Sequence, residues 1–338
     1  MRILFSSSHP QDWFEIQDSE DHFRRDRASI CAIGYHLEKI GWTVAWAGRK
    51  TTVNPFKLAK RIDDFKPDIV YSYGAVPSLN PLFARRLLCK HRKFAVVHGW
   101  DDAYGDIWAN EIGWIGRITM NWLEKRIVKN SDAVVTLSRY LQNRGKSWGI
   151  NCHFIPNGAD RIDDCGLHGS IRLKGRFNIV YSGDKAKWKR TADICESMRH
   201  VSNDIKLYLT GRDYEYLNPY KSDNCIFLGF LPKEEQLHVM RQADAFVVTA
   251  DQDCNAKLQE YLRWNKPILA FDGRPNLFFT NGRNALLAKD GDYAPLIERL
   301  AADPALCQTL ADNAAHDIPV YTWAEIASQF DSYFRSLS

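Results

Sequence analysis

Short apolar runs alternate with longer amphipathic stretches along the first half of the chain. The runs have the length and β-branched content of buried strands, and the stretches between them place apolar residues at helical spacing. Strands that alternate with helices are typical of a parallel sheet covered on both faces. The predicted strands are 2–7, 43–47, 68–73, 94–98 and 132–138, and the predicted helices are 28–40, 54–65, 81–90 and 107–128.

The same alternation begins again after a loop rich in Gly, Asp and Arg at 158–175. The chain is therefore predicted to be an α/β protein of two tandem, doubly wound, Rossmann-like domains. Ligands bind such sheets at the carboxyl ends of the strands, so we expect chemistry after Ser6, Val97, Ser182, Thr210 and Thr249. The strands predicted in the second half are 177–182, 205–210, 225–228, 245–249 and 267–271.

The composition is that of an ordinary globular protein, with 45% hydrophobic and 25% charged residues among 338. It excludes collagen-like, low-complexity and disulfide-stapled chains, and the length predicts roughly two domains. The net charge of +4 results from 45 basic and 41 acidic residues, which is too balanced for a protein that coats nucleic acid. We therefore expect no nucleic-acid partner.

The eight cysteines are scattered singly, without a Cys-x-x-Cys pair. This spacing indicates reduced core residues rather than a disulfide framework or a metal site. The apolar run at the N-terminus is shorter than the core of a signal peptide, and no stretch of about eighteen apolar residues could span a membrane. These features predict a cytoplasmic protein without a bound metal.

A glycine turn with a basic segment follows the strand that ends at Ser182. Gly183 precedes four basic residues within six positions, among them Lys185, Lys187 and Lys189. A turn of this kind next to a helix N-terminus favours an anionic phosphate group. A solvated basic loop is the alternative, because the spacing matches no established phosphate-binding motif.

A second polar segment follows the strand that ends at Thr249. A helix that begins after Asn255 would place Lys257 and Glu260 one turn apart, close enough to serve one ligand. A routine surface ion pair is the alternative. The segment 251–253 also reads Asp-Gln-Asp, a possible Mg²⁺ ligand pair, but short acidic triplets occur by chance and we predict no metal site.

In the first half, His98 lies at the carboxyl end of a predicted strand and is suited to bonding a substrate hydroxyl or phosphate. Gly99 beside it would permit close approach of the backbone to a ligand. A structural histidine is the alternative, and Asp101 and Asp102 could equally cap the following helix. The loop 9–27 is long, aromatic and charged, as functional loops often are, or else it is partly disordered.

Tryptophan is frequent in this chain, with eleven residues. We expect Trp13 and Trp100 at the mouth of an acceptor site. The predicted helix 107–128 combines tryptophans with basic residues, a mixture compatible with a helix at a membrane surface. A core-packed helix with a solvated basic face is the alternative. The residues of this helix region are Trp108, Trp114 and Trp122 with Arg117, Lys125, Arg126 and Lys129.

At this point the sequence resembles the GT-B glycosyltransferases, and within them the retaining group known as glycosyltransferase family 4. The segment 154–160 contains the Pro-Asn-Gly-x-Asp pattern that links the two domains of that family. The order and spacing of the matching segments carry the resemblance, which covers most of the chain. These segments are 132–138, 154–160, 225–231, 282–287 and 321–323.

The resemblance implies a GT-B fold, in which two Rossmann-like domains face each other across a cleft. We expect an acceptor-binding domain over 1–160 and a nucleotide-sugar-binding domain over 161–320. The remaining segment 321–338 is expected to form a helix that packs back on the N-terminal domain.

The resemblance also implies roles for the basic turn. Gly183 corresponds to the family glycine that precedes the phosphate-binding residues, and Lys189 corresponds to the lysine that binds the donor diphosphate. The usual arginine after the glycine is Asp184 here, so Lys185 or Lys187 would have to take its part.

The second segment corresponds to the Glu-x7-Glu motif of the family. Glu260 stands at the second glutamate, which binds the ribose, and Gln252 replaces the first, which lies near the transferred sugar. Asp251 or Asp253 could fill that place. Lys257 with Glu260 resembles a branch of these enzymes that carries Lys-x-x-Glu-Tyr.

The remaining expected site residues come from both halves of the chain. His98 matches a histidine that reaches the donor sugar, and a helix N-terminus near Asn255 would stabilise negative charge. The base would be contacted by Phe230 and Leu231. We further expect Gly211 and Ala256 to line the donor site.

The predicted function is transfer of a sugar from a nucleotide-diphosphate donor, a UDP- or GDP-sugar, to a hydroxyl of a glycan or lipid-linked acceptor. The resemblance implies that the anomeric configuration is retained and that no cofactor is tightly bound. Relatives build cell-surface polysaccharides or glycolipids, which makes a membrane surface a possible partner. The alternatives are a nucleotide-sugar epimerase or hydrolase of the same fold, and a non-catalytic nucleotide-sugar-binding protein.

Overall fold

A computed structural model describes residues 1–7, 29–74, 78–159, 169–253 and 256–337. The chain forms two compact units. The first consists of Met1–Gly158 and Tyr321–Ser338, and the second of Ala159–Val320. A membrane-spanning helix is not found in the described part of the chain, because none of its helices is both long and apolar enough.

The first unit contains a parallel sheet of six strands in the order β2-β1-β3-β4-β5-β6. Ile3 and Phe5 of the first strand pack in one apolar cluster, and Leu4 between them packs in another. This alternation places a core on each face of the sheet. The strands are β1 (Arg2–Ser7), β2 (Thr43–Ala47), β3 (Ile69–Tyr73), β4 (Ala95–Trp100), β5 (Ala133–Thr136) and β6 (His153–Phe154).

The helices between these strands largely follow the predicted ones. A π-helical turn at Ala84–Leu88 continues the fourth helix, and the fifth is broken at Ile112 and Gly113, where Gly113 has a φ of +69°. The helices are α1 (Ser29–Lys39), α2 (Arg49–Thr52), α3 (Pro55–Phe65), α4 (Leu79–Phe83), α5 (Tyr104–Asn130) and α6 (Arg139–Ser147).

The start of α5 corrects one expectation. The N-cap position is held by Ala103, which makes no side-chain cap, so neither Asp101 nor Asp102 occupies it. The Tyr104 backbone N–H instead donates to the carboxylate of Glu124, at 2.8 Å. The backbone N–H at the start of the helix is therefore bonded by the buried carboxylate of Glu124, which lies 20 residues further along the same helix.

The second unit contains another parallel sheet of six strands, in the order β12-β11-β10-β7-β8-β9. The two helix-flanked parallel sheets confirm the predicted α/β fold. The strands are β7 (Phe177–Ser182), β8 (Ile205–Thr210), β9 (Cys225–Gly229), β10 (Ala245–Val248), β11 (Ile268–Phe271) and β12 (Leu286–Ala288). The helices are α7 (Thr191–Ser197), α8 (Lys233–Arg241), α9 (Ala256–Leu262), α10 (Ala294–Ala302) and α11 (Pro304–Asp317).

The last helix, α12 (Trp323–Arg335), belongs to the first unit. Thr322 and Glu325 form a capping box that starts it. Its apolar face joins the cluster that contains Ile3 and Phe5, and the indole N–H of Trp42 donates to Asp331 at 2.6 Å. The chain thus returns to the first sheet after completing the second.

Candidate functional site

The centre of the candidate site is a pair of glycines at the ends of two neighbouring strands. Gly183 follows β7 and Gly211 follows β8, with φ angles of +141° and +100°. A Cβ on Gly211 would lie 2.3 Å from the carbonyl oxygen of Gly183. Both the positive φ and this close approach require glycine at Gly211, so the two strand ends form a tight backbone turn.

The structure separates the basic residues that follow this turn. Lys185 is fully buried, and its Nζ donates to the Thr210 carbonyl at 3.0 Å. Burial lowers the pKa of Lys185 to about 8. Its ammonium group is therefore enclosed by the protein, and its expected contact with a phosphate stays a prediction. Lys187, in contrast, is exposed.

Lys189 and Gln252, which follow different strands, lie in direct contact. The Nζ of Lys189 donates to Oε1 of Gln252 at 3.1 Å and lies 3.8 Å from the centre of the Trp188 ring. The Lys189 carbonyl accepts a hydrogen bond from the Thr249 hydroxyl at 2.6 Å. These contacts tie the basic turn to the loop after β10.

The acidic side chains of the two segments are engaged within the protein or buried. The Asp184 carboxylate accepts a hydrogen bond from the Tyr214 hydroxyl. Asp251 accepts one from the backbone N–H of Arg274 at 2.7 Å, and Asp253 is buried. Among the described residues, no group of three or more His, Cys, Asp or Glu side chains is arranged to hold a metal ion.

Glu260 lies between two lysines. Lys257 of the same helix is 3.0 Å from its carboxylate, and Lys233 at the start of α8 is 3.8 Å away. Burial alone would raise the pKa of Glu260, but the two lysines outweigh it and hold the pKa below its usual value. The carboxylate is therefore ionised at neutral pH and can accept hydrogen bonds from hydroxyl groups.

Lys233 is a site residue that the sequence interpretation missed. It follows Phe230 and Leu231 closely, and Pro232 before it marks the start of a helix. Its contact with Glu260 joins two helices that are distant in sequence, so no local spacing could have indicated it.

Helix α9 is anchored beneath the glycine turn by Tyr261. The Ser182 backbone N–H donates to the Tyr261 hydroxyl at 2.8 Å, and the buried ring stacks on Phe246 with 4.5 Å between centroids. The position of Glu260 relative to Gly183 is thereby fixed.

Beyond β9, Gly229 has a φ of +69° and the Phe230 side chain is 73% exposed. An exposed aromatic face at the edge of a site is suited to stacking on a planar ring. Leu231 is partly buried. The expected contacts of Asn255, of the Ala256 side chain and of the loop 9–27, including Trp13, lie outside the described part of the structure.

In the first unit, His98 is buried, with its Nδ1 2.8 Å from the Ser78 hydroxyl. Burial lowers the pKa of His98 to about 3, against a smaller opposing effect of a backbone hydrogen bond to Ser72. The ring is therefore neutral at pH 7. Its proposed contact with a donor sugar stays a prediction.

One expectation about the neighbours of His98 is wrong and one stays a prediction. A Cβ on Gly99 would lie 2.4 Å from the Tyr71 hydroxyl, so glycine is needed there to make room for Tyr71, and its approach to a ligand stays a prediction. Trp100 is fully buried, stacks on Trp148 and donates to Glu124 at 3.2 Å. It is a core residue and does not stand at the mouth of a site.

Comparisons with known proteins extend this picture. The model of Glycosyltransferase Family 4 matches residues 13–161. Among solved structures, sucrose-phosphate synthase from Thermosynechococcus elongatus is 16% identical with a TM-score of 0.75, and the match covers 99% of this chain and 98% of that one. A search of curated proteins finds no match.

Two further structures match along nearly their whole length. HepE from Anabaena in complex with UDP is 15% identical with a TM-score of 0.72, covering 99% of this chain and 100% of that one. The lipopolysaccharide outer core galactosyltransferase WaaB is 14% identical with a TM-score of 0.68, covering 99% of each chain. The GT-B fold is thereby confirmed, and with the family match the comparisons support a glycosyltransferase of the GT-B type.

Proposed function

We propose that this protein is a retaining glycosyltransferase that moves a sugar from a nucleotide-diphosphate donor to a hydroxyl of a glycan or lipid-linked acceptor. The comparisons support the transferase class, and solved structures of HepE contain UDP and UDP-glucose. A UDP-sugar is therefore the first donor to test, with a GDP-sugar second. We place the reaction in the cytoplasm, in the synthesis of surface polysaccharide or glycolipid.

The observation that carries this proposal is the convergence of three features at the carboxyl edge of the second sheet. They are the glycine turn at Gly183, the cation of Lys189 and the ionised carboxylate of Glu260. Strands β10, β7 and β8 are neighbours in this sheet, so the segments that follow them meet at one place. A nucleotide diphosphate needs these groups: close backbone approach, positive charge and an acceptor for ribose hydroxyls.

We assign the roles accordingly. Lys189 binds the diphosphate, Glu260 accepts the ribose hydroxyls, and the exposed ring of Phe230 covers the base. Lys257 and Lys233 hold the Glu260 carboxylate in its ionised form.

The proposed chemistry needs no dedicated protein base. In transfer with retention, the bond from the anomeric carbon to the diphosphate breaks, the acceptor oxygen bonds to that carbon on the same face, and the departing diphosphate takes the acceptor proton. The protein contributes positioning and stabilisation of the charge that develops on the diphosphate. Lys189 supplies that stabilisation.

A panel of UDP-, GDP-, ADP- and dTDP-sugars, measured by thermal shift, tests donor binding. A ligand at about a hundred times its Kd stabilises the folded state by about 2.7 kcal/mol, so the correct donor raises Tm clearly. The Glu260→Gln variant, with about tenfold weaker binding, should keep only about half of this stabilisation. Glu234→Gln, at the exposed second residue of α8, is the matched control.

Product analysis tests the reaction itself. NMR of the product formed with an acceptor extract should show the donor's anomeric configuration. An altered sugar or free sugar formed at full rate without acceptor would instead establish the epimerase or hydrolase alternative. Absence of turnover with every stabilising donor and acceptor extract would establish the non-catalytic one.

A further inference from the structure

Helix α5 carries an unusual concentration of exposed apolar side chains. Trp114, Ile118 and Trp122 are 72%, 59% and 58% exposed, and Ile115 is exposed beside them. Residues four apart lie on the same side of a helix, so these side chains form one stripe that faces outward. Single exposed apolar residues are common on proteins, but a contiguous stripe marks an interaction surface.

The opposite side of the helix packs against the first unit, so the exposed stripe is not part of the apolar core. Met120 and Ile127 are buried, and Leu82 of helix α4 packs against them. The helix is therefore held to the first unit by one face while the other stays exposed. Helix α4 itself leaves Leu79 and Phe83 exposed.

The exposed charged side chains of residues 114–130 are all basic, and one of them, Arg117, lies 3.5 Å from Asp106 of the same helix. Residues 114–130 contain four basic side chains and a single acid, Glu124, which is buried. The Arg126 guanidinium lies over the Trp122 ring, 5.1 Å from its centre, so basic and aromatic groups share one surface. The basic residues are Arg117, Lys125, Arg126 and Lys129, all of them exposed.

The combination of exposed tryptophan and basic side chains favours a lipid surface over a protein partner. Lysine is depleted from the centres of protein–protein interfaces, whereas tryptophan with flanking lysine and arginine is typical of helices at membrane interfaces. An anionic lipid surface complements both the apolar stripe and the positive charge. We propose that the exposed side chains of residues 112–129, which form an apolar-basic face, dock the protein on an anionic lipid bilayer.

This docking is independent of the transfer reaction, because its readout is lipid binding alone. A failure of the proposed donor chemistry therefore leaves it standing, and its own failure leaves the donor site untouched.

Co-sedimentation with vesicles tests the proposal. We compare vesicles of phosphatidylcholine alone with vesicles in which about one third of the lipid is phosphatidylglycerol. The intact protein should bind the anionic vesicles, and the double variant W114A/W122A should bind about tenfold more weakly or worse, because two large apolar side chains no longer insert. The matched control is Phe56→Ala on α3, a side chain that is 69% exposed on another helix, and it should bind like the unmodified protein.

A second double variant, K125Q/K129Q, tests the charge. Each cation near an anionic surface contributes about fivefold in affinity, so this variant should bind about 25-fold more weakly. High salt should weaken the unmodified protein in the same direction. Because all four altered side chains are exposed, circular dichroism should show unchanged folding in both variants.

Three results would overturn the proposal. The first is equal binding to neutral and anionic vesicles, or none to either. The second is that W114A/W122A and Phe56→Ala bind alike. The third is a lower oligomeric mass for W114A/W122A than for the unmodified protein without lipid, which would make this face an interface between protein chains.

Discussion

Lys185 provides a sharp test of how the basic turn is built. Its ammonium group is fully buried and donates to the Thr210 carbonyl, and burial lowers its pKa from 10.5 to about 8. Replacing Lys185 by methionine keeps an unbranched side chain that is one atom shorter and removes the charge. We expect the variant to be more stable than the unmodified protein at pH 7.

The size of the effect follows from the pKa. The pKa of Lys185 is about 8 in the folded protein, against 10.5 in the unfolded chain. The folded state therefore holds this proton at a cost of about 3 kcal/mol. Removing the charge removes this cost, but the variant also loses the hydrogen bond to the Thr210 carbonyl, which offsets about 1 kcal/mol of the gain in stability. The Thr210 carbonyl keeps the Gly183 backbone N–H as a partner at 3.3 Å, so it is not left unsatisfied. A net stabilisation of about 2 kcal/mol is expected.

The lowered pKa of Lys185 also predicts how stability changes with pH. Between pH 8 and 10.5 the unfolded chain keeps the Lys185 proton that the folded chain has released, so stability from this group rises with pH. The advantage of Lys185→Met should therefore shrink as pH rises from 8 to 10.5. Urea unfolding of both proteins at pH 7 and pH 10 measures it, since other titrating groups are common to the two.

Two outcomes would refute this reasoning. A variant less stable than the unmodified protein at pH 7 would show that the buried ammonium stabilises the fold. A loss of donor affinity comparable to that of Lys189→Ala would show that Lys185 contacts the donor after all. Isothermal titration with the donor found in the panel distinguishes the two lysines.

Three further predictions concern the proposed site and the first unit. Lys189→Ala should weaken donor binding by about tenfold or more in calorimetry, because a charge-assisted contact is lost, whereas Lys221→Ala at an exposed position should bind normally. Glu260→Gln should raise the donor KM by about tenfold with a smaller effect on kcat, and an unchanged KM would remove Glu260 from the ribose. His98 has a folded pKa of about 3 against 6.5, so the stability it contributes is present above pH 6.5 and is lost as pH falls toward 3. Between pH 6.5 and 4.5 the unmodified protein should lose about 1 kcal/mol per pH unit more than His98→Asn in urea unfolding, and parallel curves would contradict the buried neutral ring.

The fold was largely predictable because buried parallel strands are continuous apolar runs that stand out between helices. The edge strands His153–Phe154 and Leu286–Ala288 were not predicted, since runs this short resemble any loop. The break in α5 was also missed, because Gly113 interrupts an otherwise helical pattern without changing its spacing. Sequence periodicity reports where a side chain must be buried, and it is weakest where few residues are buried.

The candidate site was predictable only at the level of segments. The position after a strand indicated the segments that contain Lys189 and Glu260, but it could not separate Lys189 from Lys185. That separation depends on the Thr210 carbonyl of the neighbouring strand, which captures one ammonium group, and on the turn that directs the other toward Gln252. Lys233 was missed for the same reason, because its partner is supplied by tertiary structure.

The glutamine at position 252 acquires a physical meaning from these contacts. A glutamate there would form an ion pair with Lys189 and neutralise the charge that a diphosphate needs, whereas the amide of Gln252 holds Lys189 in place without neutralising it. Glu260, by contrast, lies near both Lys257 and Lys233, and these three side chains together carry more positive than negative charge. Both contact groups, Lys189 with Gln252 and Glu260 with its two lysines, therefore carry more positive than negative charge. The departure from the family glutamate is consistent with stronger diphosphate binding and does not by itself argue for a loss of function.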